Sequence, residues 1–145
     1  MRPEFWAVLT ALCWATGSLL EKRGVQLGNL APVMGTTIRT GTSVLLLLAI
    51  SYPFWGQAKA VGTKPILLIA IGGGLIAGCL GIICLYSALK TGQLSIVLTI
   101  AFCLTPVVGT LLGTLFLDER LKLLQVLGIA LCIVGAALVT MFKTH

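Results

Sequence analysis

Two residues of opposite charge, Glu21 and Arg39, stand in otherwise apolar sequence, and their chemistry is that of holding or passing a solute rather than of making bonds. A charge at the centre of a membrane helix costs about 2.5–3.5 kcal/mol on insertion scales, so such residues pair with each other or face water. Around each of them lies a small-or-polar arc at helical spacing. Trp14, Gly17, Ser18 and Glu21 recur at i, i+3, i+4 and i+7, and Thr36, Arg39, Thr40 and Ser43 fall on one face of a second helix. A third arc, Thr99, Cys103, Pro106, Thr110 and Gly113, contains a proline that removes a backbone donor and is expected to kink its helix. The three arcs are expected to converge on a water-accessible path. Two plainer readings stay open: Arg39 snorkels to the interface, or the pair is purely structural.

Other chemistries find little support. The single histidine is His145, and the cysteines at 13, 79, 84, 103 and 132 contain no C-x-x-C pair, so small apolar packing is expected of them and no metal site or cofactor is predicted. Asp118 and Glu119 are adjacent, an arrangement that suits a solvated loop capping the following helix better than an acid–base pair. The Gly72-Gly73-Gly74 run lacks the Lys-Ser/Thr of a phosphate loop. No enzyme activity and no nucleic-acid partner are expected.

The elements that must position these residues follow from composition. The chain of 145 residues is 58% hydrophobic and 10% charged, against roughly a quarter charged in soluble domains. Residues 5–20, 40–58, 65–89, 91–117 and 123–142 are free of Asp, Glu, Lys and Arg, in runs of 16, 19, 25, 27 and 20 residues. About 20 residues span the hydrocarbon core. The expected fold class is therefore an all-α integral membrane protein, a five-transmembrane-helix bundle, with helices near 5–27, 32–55, 65–89, 94–117 and 122–142 in one domain over 1–145. Gly28-Asn29-Leu30-Ala31-Pro32, 56–65, Lys90-Thr91-Gly92-Gln93 and Asp118-Glu119-Arg120 supply the breaks. The N-terminal run is expected to stay as the first helix rather than be cleaved, because Glu21-Lys22-Arg23 follows it in place of a small-residue site.

With those ends, Glu21 lies six residues before the first break and Arg39 seven residues after the second helix begins, about 9–10 Å from a shared turn. The two side chains are thus expected at one depth on antiparallel neighbours, and as an ion pair. Orientation is poorly marked. Arg2, Lys59, Lys64, Arg120 and Lys122 fall on one side, and Lys22, Arg23, Lys90 and Lys143 on the other. That balance fits either a cytoplasmic N-terminus with Lys22 and Arg23 partly embedded, or insertion in both directions. Trp6, Phe54, Trp55 and Phe142 suit interfacial anchors among membrane lipids. Gly74-x-x-x-Gly78, Gly109-x-x-x-Gly113 and the Gly128/Gly135 pair permit close helix approach.

The sequence also resembles the EamA domain of the drug/metabolite transporter superfamily. The resemblance rests on Trp14-Ala15-Thr16-Gly17 with Lys22, on Arg39, and on Tyr86-Ser87-Ala88-Leu89-Lys90. It continues through Leu104-Thr105-Pro106-Val107, Leu117-Asp118-Glu119-Arg120-Leu121 and Gln125-Val126-Leu127-Gly128 with Gly135. It implies an exporter-like membrane transporter for small metabolites or drugs, in a bacterial inner membrane. The candidate substrate-binding residues are Trp14, Ser18, Glu21, Lys22, Arg39, Ser43, Tyr86, Thr99, Pro106 and Thr110. Since most relatives carry two such domains inverted in tandem, one five-helix unit is half of an inverted-repeat transporter. The expected partner is a second copy, possibly antiparallel, or a similar chain. Shorter four-helix multidrug relatives resemble residues 94–142 and dimerise through their last helix, which places Gly128 and Gly135 at a dimer interface. Those relatives use a central glutamate in helix one, and here the corresponding depth near Trp14 has no acid. Glu21, Lys22, Arg23 and Arg39 sum to +2, which points to an anionic or zwitterionic substrate. A non-transporting membrane subunit, or half of a lipid-linked-sugar flippase, is the alternative.

Overall fold

The computed structural model describes residues 3–60, 62–118 and 120–142. Glu119 of the expected loop cap, and Arg2, Lys143 and His145, lie outside the described residues. Among the described residues the chain is helical, with no strand: α1 (Pro3–Leu27), α2 (Pro32–Ser51), α3 (Trp55–Ala60), α4 (Thr63–Ile69), α5 (Ile82–Thr91), α6 (Leu94–Phe116) and α7 (Leu123–Met141). A 3₁₀ turn at Tyr52–Phe54, around Pro53, joins α2 to α3, and a π-helical stretch at Ala70–Gly81 joins α4 to α5. Grouped this way there are five long helical rods. Pro32–Gln57, Thr63–Thr91, Leu94–Phe116 and Leu123–Met141 are long and apolar enough to cross a membrane. The 25 residues of α1 also suffice in length, about 37 Å, but its last two turns carry Glu21, Lys22 and Arg23.

The chain divides into two compact units, Met1–Thr91 and Gly92–His145. In the first, α5 packs on both α1 and α2. Its buried centre is Val25, Ile82 and Tyr86, with Leu85 against them. In the second, α6 packs on α7.

The turn between α1 and α2 is set by local chemistry. Asn29 takes a left-handed conformation, φ 44°, which asparagine tolerates. The amide of Leu30 then donates to the Val25 carbonyl at 3.1 Å and that of Asn29 to the Gln26 carbonyl at 3.3 Å, closing the helix with paired reverse bonds. Ala31 is extended, as a residue before proline must be, and Pro32 opens α2 where its missing amide is harmless. This closure fixes the register of the α1–α2 hairpin.

Two expectations are revised. α7 is not capped by Asp118: the Lys122 amide donates to Oε1 of Gln125, three residues on, at 2.8 Å, while Asp118 sits left-handed just past the end of α6. Among the described residues Gly74 and Gly78 show no close approach to a second helix. A Cβ on Gly74 would meet nothing within 4 Å, and one on Gly78 would meet only the Gly73 carbonyl of its own element. Both lie in the π segment, where only Gly78 has no room for a Cβ. Pro106 lies inside α6, and Thr105 Oγ1 beside it donates to the Ala101 carbonyl at 2.7 Å. All five cysteines are free.

Candidate functional site

The hairpin register brings Glu21 and Arg39 together: Nε of Arg39 donates to Oε1 of Glu21 at 2.8 Å. Arg39 thus turns toward α1, with its side chain part-buried. The Arg39 guanidinium carbon also lies 5.8 Å from the centroid of the Trp14 ring, a cation–π placement that holds the group from a second side. Trp14 and Glu21 are seven residues apart on α1, so one helical face supplies both constraints.

Three cavities of the first unit meet at Arg39. The smallest, about 130 Å³, is lined by Cys13, Trp14, Gly17, Ser18, Glu21, Arg39 and Leu85, and thus by the whole α1 arc. A second, about 460 Å³, has Glu21, Arg39, Ser43 and Tyr86 in its wall. The third is a cleft of about 790 Å³ between the Thr36, Arg39, Thr40 and Ser43 face of α2 and the glycines 73, 74 and 78 of the π segment. Several hydroxyls there are already committed: Thr36, Thr37 and Ser43 donate to the carbonyls of Pro32, Val33 and Arg39, four residues back, at 2.9–3.0 Å. They offer the cleft acceptor lone pairs and methyl groups rather than protons.

Tyr86 is 3% exposed, with its hydroxyl end in the field of both Glu21 and Arg39. Its ring is seated on Gly35, where a Cβ would fall 2.6 Å from both Cδ1 and Cε1. Gly35 therefore decides where Tyr86 can lie. No sequence signal marks it, since a glycine in a helix interior shows its use only once the opposing ring is placed. Gly74 and Gly78, whose spacing suits helix packing, line a cleft instead.

Of the sequence-predicted site residues, Trp14, Ser18, Glu21, Arg39, Ser43 and Tyr86 share these three cavities. Lys22 follows Glu21 on α1, half-buried, and lines none of the three. Thr99, Pro106 and Thr110 lie on α6 in the second unit, and Gly128 and Gly135 on α7. Among the described residues no group of three or more His, Cys, Asp or Glu is placed to hold a metal ion.

Four apolar spans and an ion-paired helical hairpin define an integral, multi-pass membrane protein. The chain belongs to the EamA-like transporter family, whose model matches residues 1–141. It is 32% identical over 133 residues to an uncharacterized transporter, YxxF, of Bacillus subtilis (strain 168), a match spanning 92% of this chain and 40% of that protein. It is 30% identical over 141 residues to an uncharacterized transporter in the cobO 3' region of a Sinorhizobium species, covering 96% of each. The chain thus spans about 40% of the length of one relative and nearly all of the other. No solved structure matches it. Family and relatives point to a membrane transporter rather than an enzyme.

Proposed function

We propose that this chain is one half of an exporter-like transporter of small metabolites or drugs, working as a dimer of five-helix units in a bacterial inner membrane. The observation that carries the reading is the 2.8 Å Glu21–Arg39 pair at the junction of three cavities, on helices otherwise suited to lipid. A charged pair with open space on several sides can bind a polar solute midway and release it, whereas a purely structural pair is better packed around. In this reading Trp14, Ser18, Ser43 and Tyr86 contact substrate beside the pair, Lys22 adds charge toward the turn, and Thr99, Pro106 and Thr110 are further candidate substrate contacts on α6.

The dimer reading is supported by a relative of near-equal length in the same family and by Gly128 and Gly135, where an added Cβ would meet nothing within 4 Å. Such open positions on α7 suit a partner helix. Reporter fusions after His145 test the arrangement: signal from both faces of the membrane supports antiparallel copies, and signal from one face points to a parallel dimer or a separate partner chain. Counterflow in proteoliposomes tests the activity, with Arg39→Lys expected to lower flux at least tenfold. Absence of any flux from the reconstituted protein, together with co-purification of a second membrane chain, favours the non-transporting subunit or half-flippase instead.

A further inference from the structure

We propose that the small cavity at Trp14, Ser18 and Arg39 is an oxyanion clamp, so that the solute taken by the site carries a carboxylate or phosphoryl group. This rests on the transporter reading of the same site and narrows its substrate class. Three observations support it. First, Arg39 uses only Nε on Glu21. Among the described residues neither Nη makes a hydrogen bond, which leaves four of five N–H donors and the planar end of the fork that matches a carboxylate or phosphate. Second, Ser18 is 3% exposed, yet its hydroxyl makes no hydrogen bond among the described residues. Among the described residues no fully enclosed side-chain polar atom lacks a partner, so that hydroxyl is reachable from the cavity it lines. A hydroxyl reachable from the cavity can donate to an oxyanion held there. Third, the cavity holds about 130 Å³, the share of roughly four waters at about 30 Å³ each, a fit for a head group and not for a bulky drug.

The balance of donors decides the sign of the ligand. Around the cavity, the guanidinium edge and the Ser18 hydroxyl offer protons, while the one carboxylate present already accepts from Arg39. Trp14 stabilises the guanidinium through its ring face, so it is occupied by the protein's own cation rather than free to hold a cationic drug. The remainder of the solute would lie in the 460 or 790 Å³ cavities that open from the same arginine.

The test uses the full chain in nanodiscs of phosphatidylcholine, following the Nε–H resonance of Arg39, one of four arginines. Acetate and inorganic phosphate serve as minimal probes and tetramethylammonium as the cationic one. Saturable shifts with both anions and none with the cation are expected. Ser18→Ala should weaken acetate binding roughly tenfold, the loss of one hydrogen bond to a charged group, with no fall in melting temperature. Repeating the titration with phosphatidylglycerol in the disc separates sources: if that lipid abolishes the acetate shift the clamp takes a lipid head group, and if it does not the clamp takes a soluble anion. Saturation by tetramethylammonium, or acetate binding unchanged in Ser18→Ala, overturns the clamp while leaving a solute site at Arg39. If no probe shifts the resonance and Arg39→Lys carries full flux, the transporter reading of this site falls with it.

Discussion

The two units of this chain solve opposite problems. Residues 1–91 bring charge into the membrane and must neutralise it; residues 92–145 build α6 and α7 without a single Asp, Glu, Lys or Arg in either helix. In the first unit one pair of side chains, Arg39 and Glu21, reaches across helices, while hydroxyls such as those of Thr36, Thr37 and Ser43 turn back on their own helix. The second unit's hydroxyls do the same, Thr105 to Ala101, Thr114 to Thr110 and Leu111, Thr140 to Ala136 and Ala137, but its two helices carry no charge that has to be met from another element. A hydroxyl satisfied within its own helix places no demand on its neighbours, so the second unit can face lipid or a partner with little constraint. A guanidinium cannot be satisfied that way, and its need for a carboxylate on another element ties the hairpin to one register.

That contrast can be broken most forcefully at the pair itself. Glu21→Gln leaves Arg39 uncompensated at membrane depth and should cost about 2–3 kcal/mol, whereas Glu21→Gln with Arg39→Gln should recover most of it. Reversible unfolding in mixed micelles measures both, and strict additivity would show that the two charges do not depend on each other. Next in size is Gly35→Ala. The new Cβ lands on the Tyr86 ring, and overpacking of this kind costs about 1–3 kcal/mol. The matching change in the second unit, Gly109→Ala, meets open space and should leave the melting temperature level or higher.

A finer test lies inside the π segment. Gly78→Ala sets a Cβ 2.6 Å from the Gly73 carbonyl oxygen and should destabilise by about 1 kcal/mol. Gly74→Ala, with nothing within 4 Å, should gain about 0.5–1 kcal/mol from helix propensity. Hydrogen exchange across Ala70–Gly81 should move in opposite directions for the two variants; equal responses would mean the wide turn is not held by Gly78. The smallest effect on folding is expected from Gly128→Leu with Gly135→Leu. Cross-linking of copies should be lost while helicity is retained, and cross-linking that survives would put the interface elsewhere.

Much of the first unit was legible from sequence because its signals are local. Asn29 followed by Leu30-Ala31-Pro32 specifies where α1 stops and α2 starts, and counting back and forward from that turn puts Glu21 and Arg39 level. Helical periodicity likewise grouped Trp14, Gly17, Ser18 and Glu21, which all line one cavity. The π segment was not legible, since a glycine-rich apolar run reads the same in α or π winding. Nor was the Gly35–Tyr86 contact, which joins residues 51 positions apart.

By itself the sequence determined that this is a helical membrane protein with a level pair of opposite charges, because apolar run length, breaker residues and 3.6-residue periodicity are properties of neighbouring positions. Only the tertiary structure decided that Arg39 would bond through Nε alone, keep its other donors open, and stand where three cavities meet. Those outcomes depend on how α5 and the π segment settle against the hairpin, a matter of packing between distant parts of the chain that no local pattern encodes.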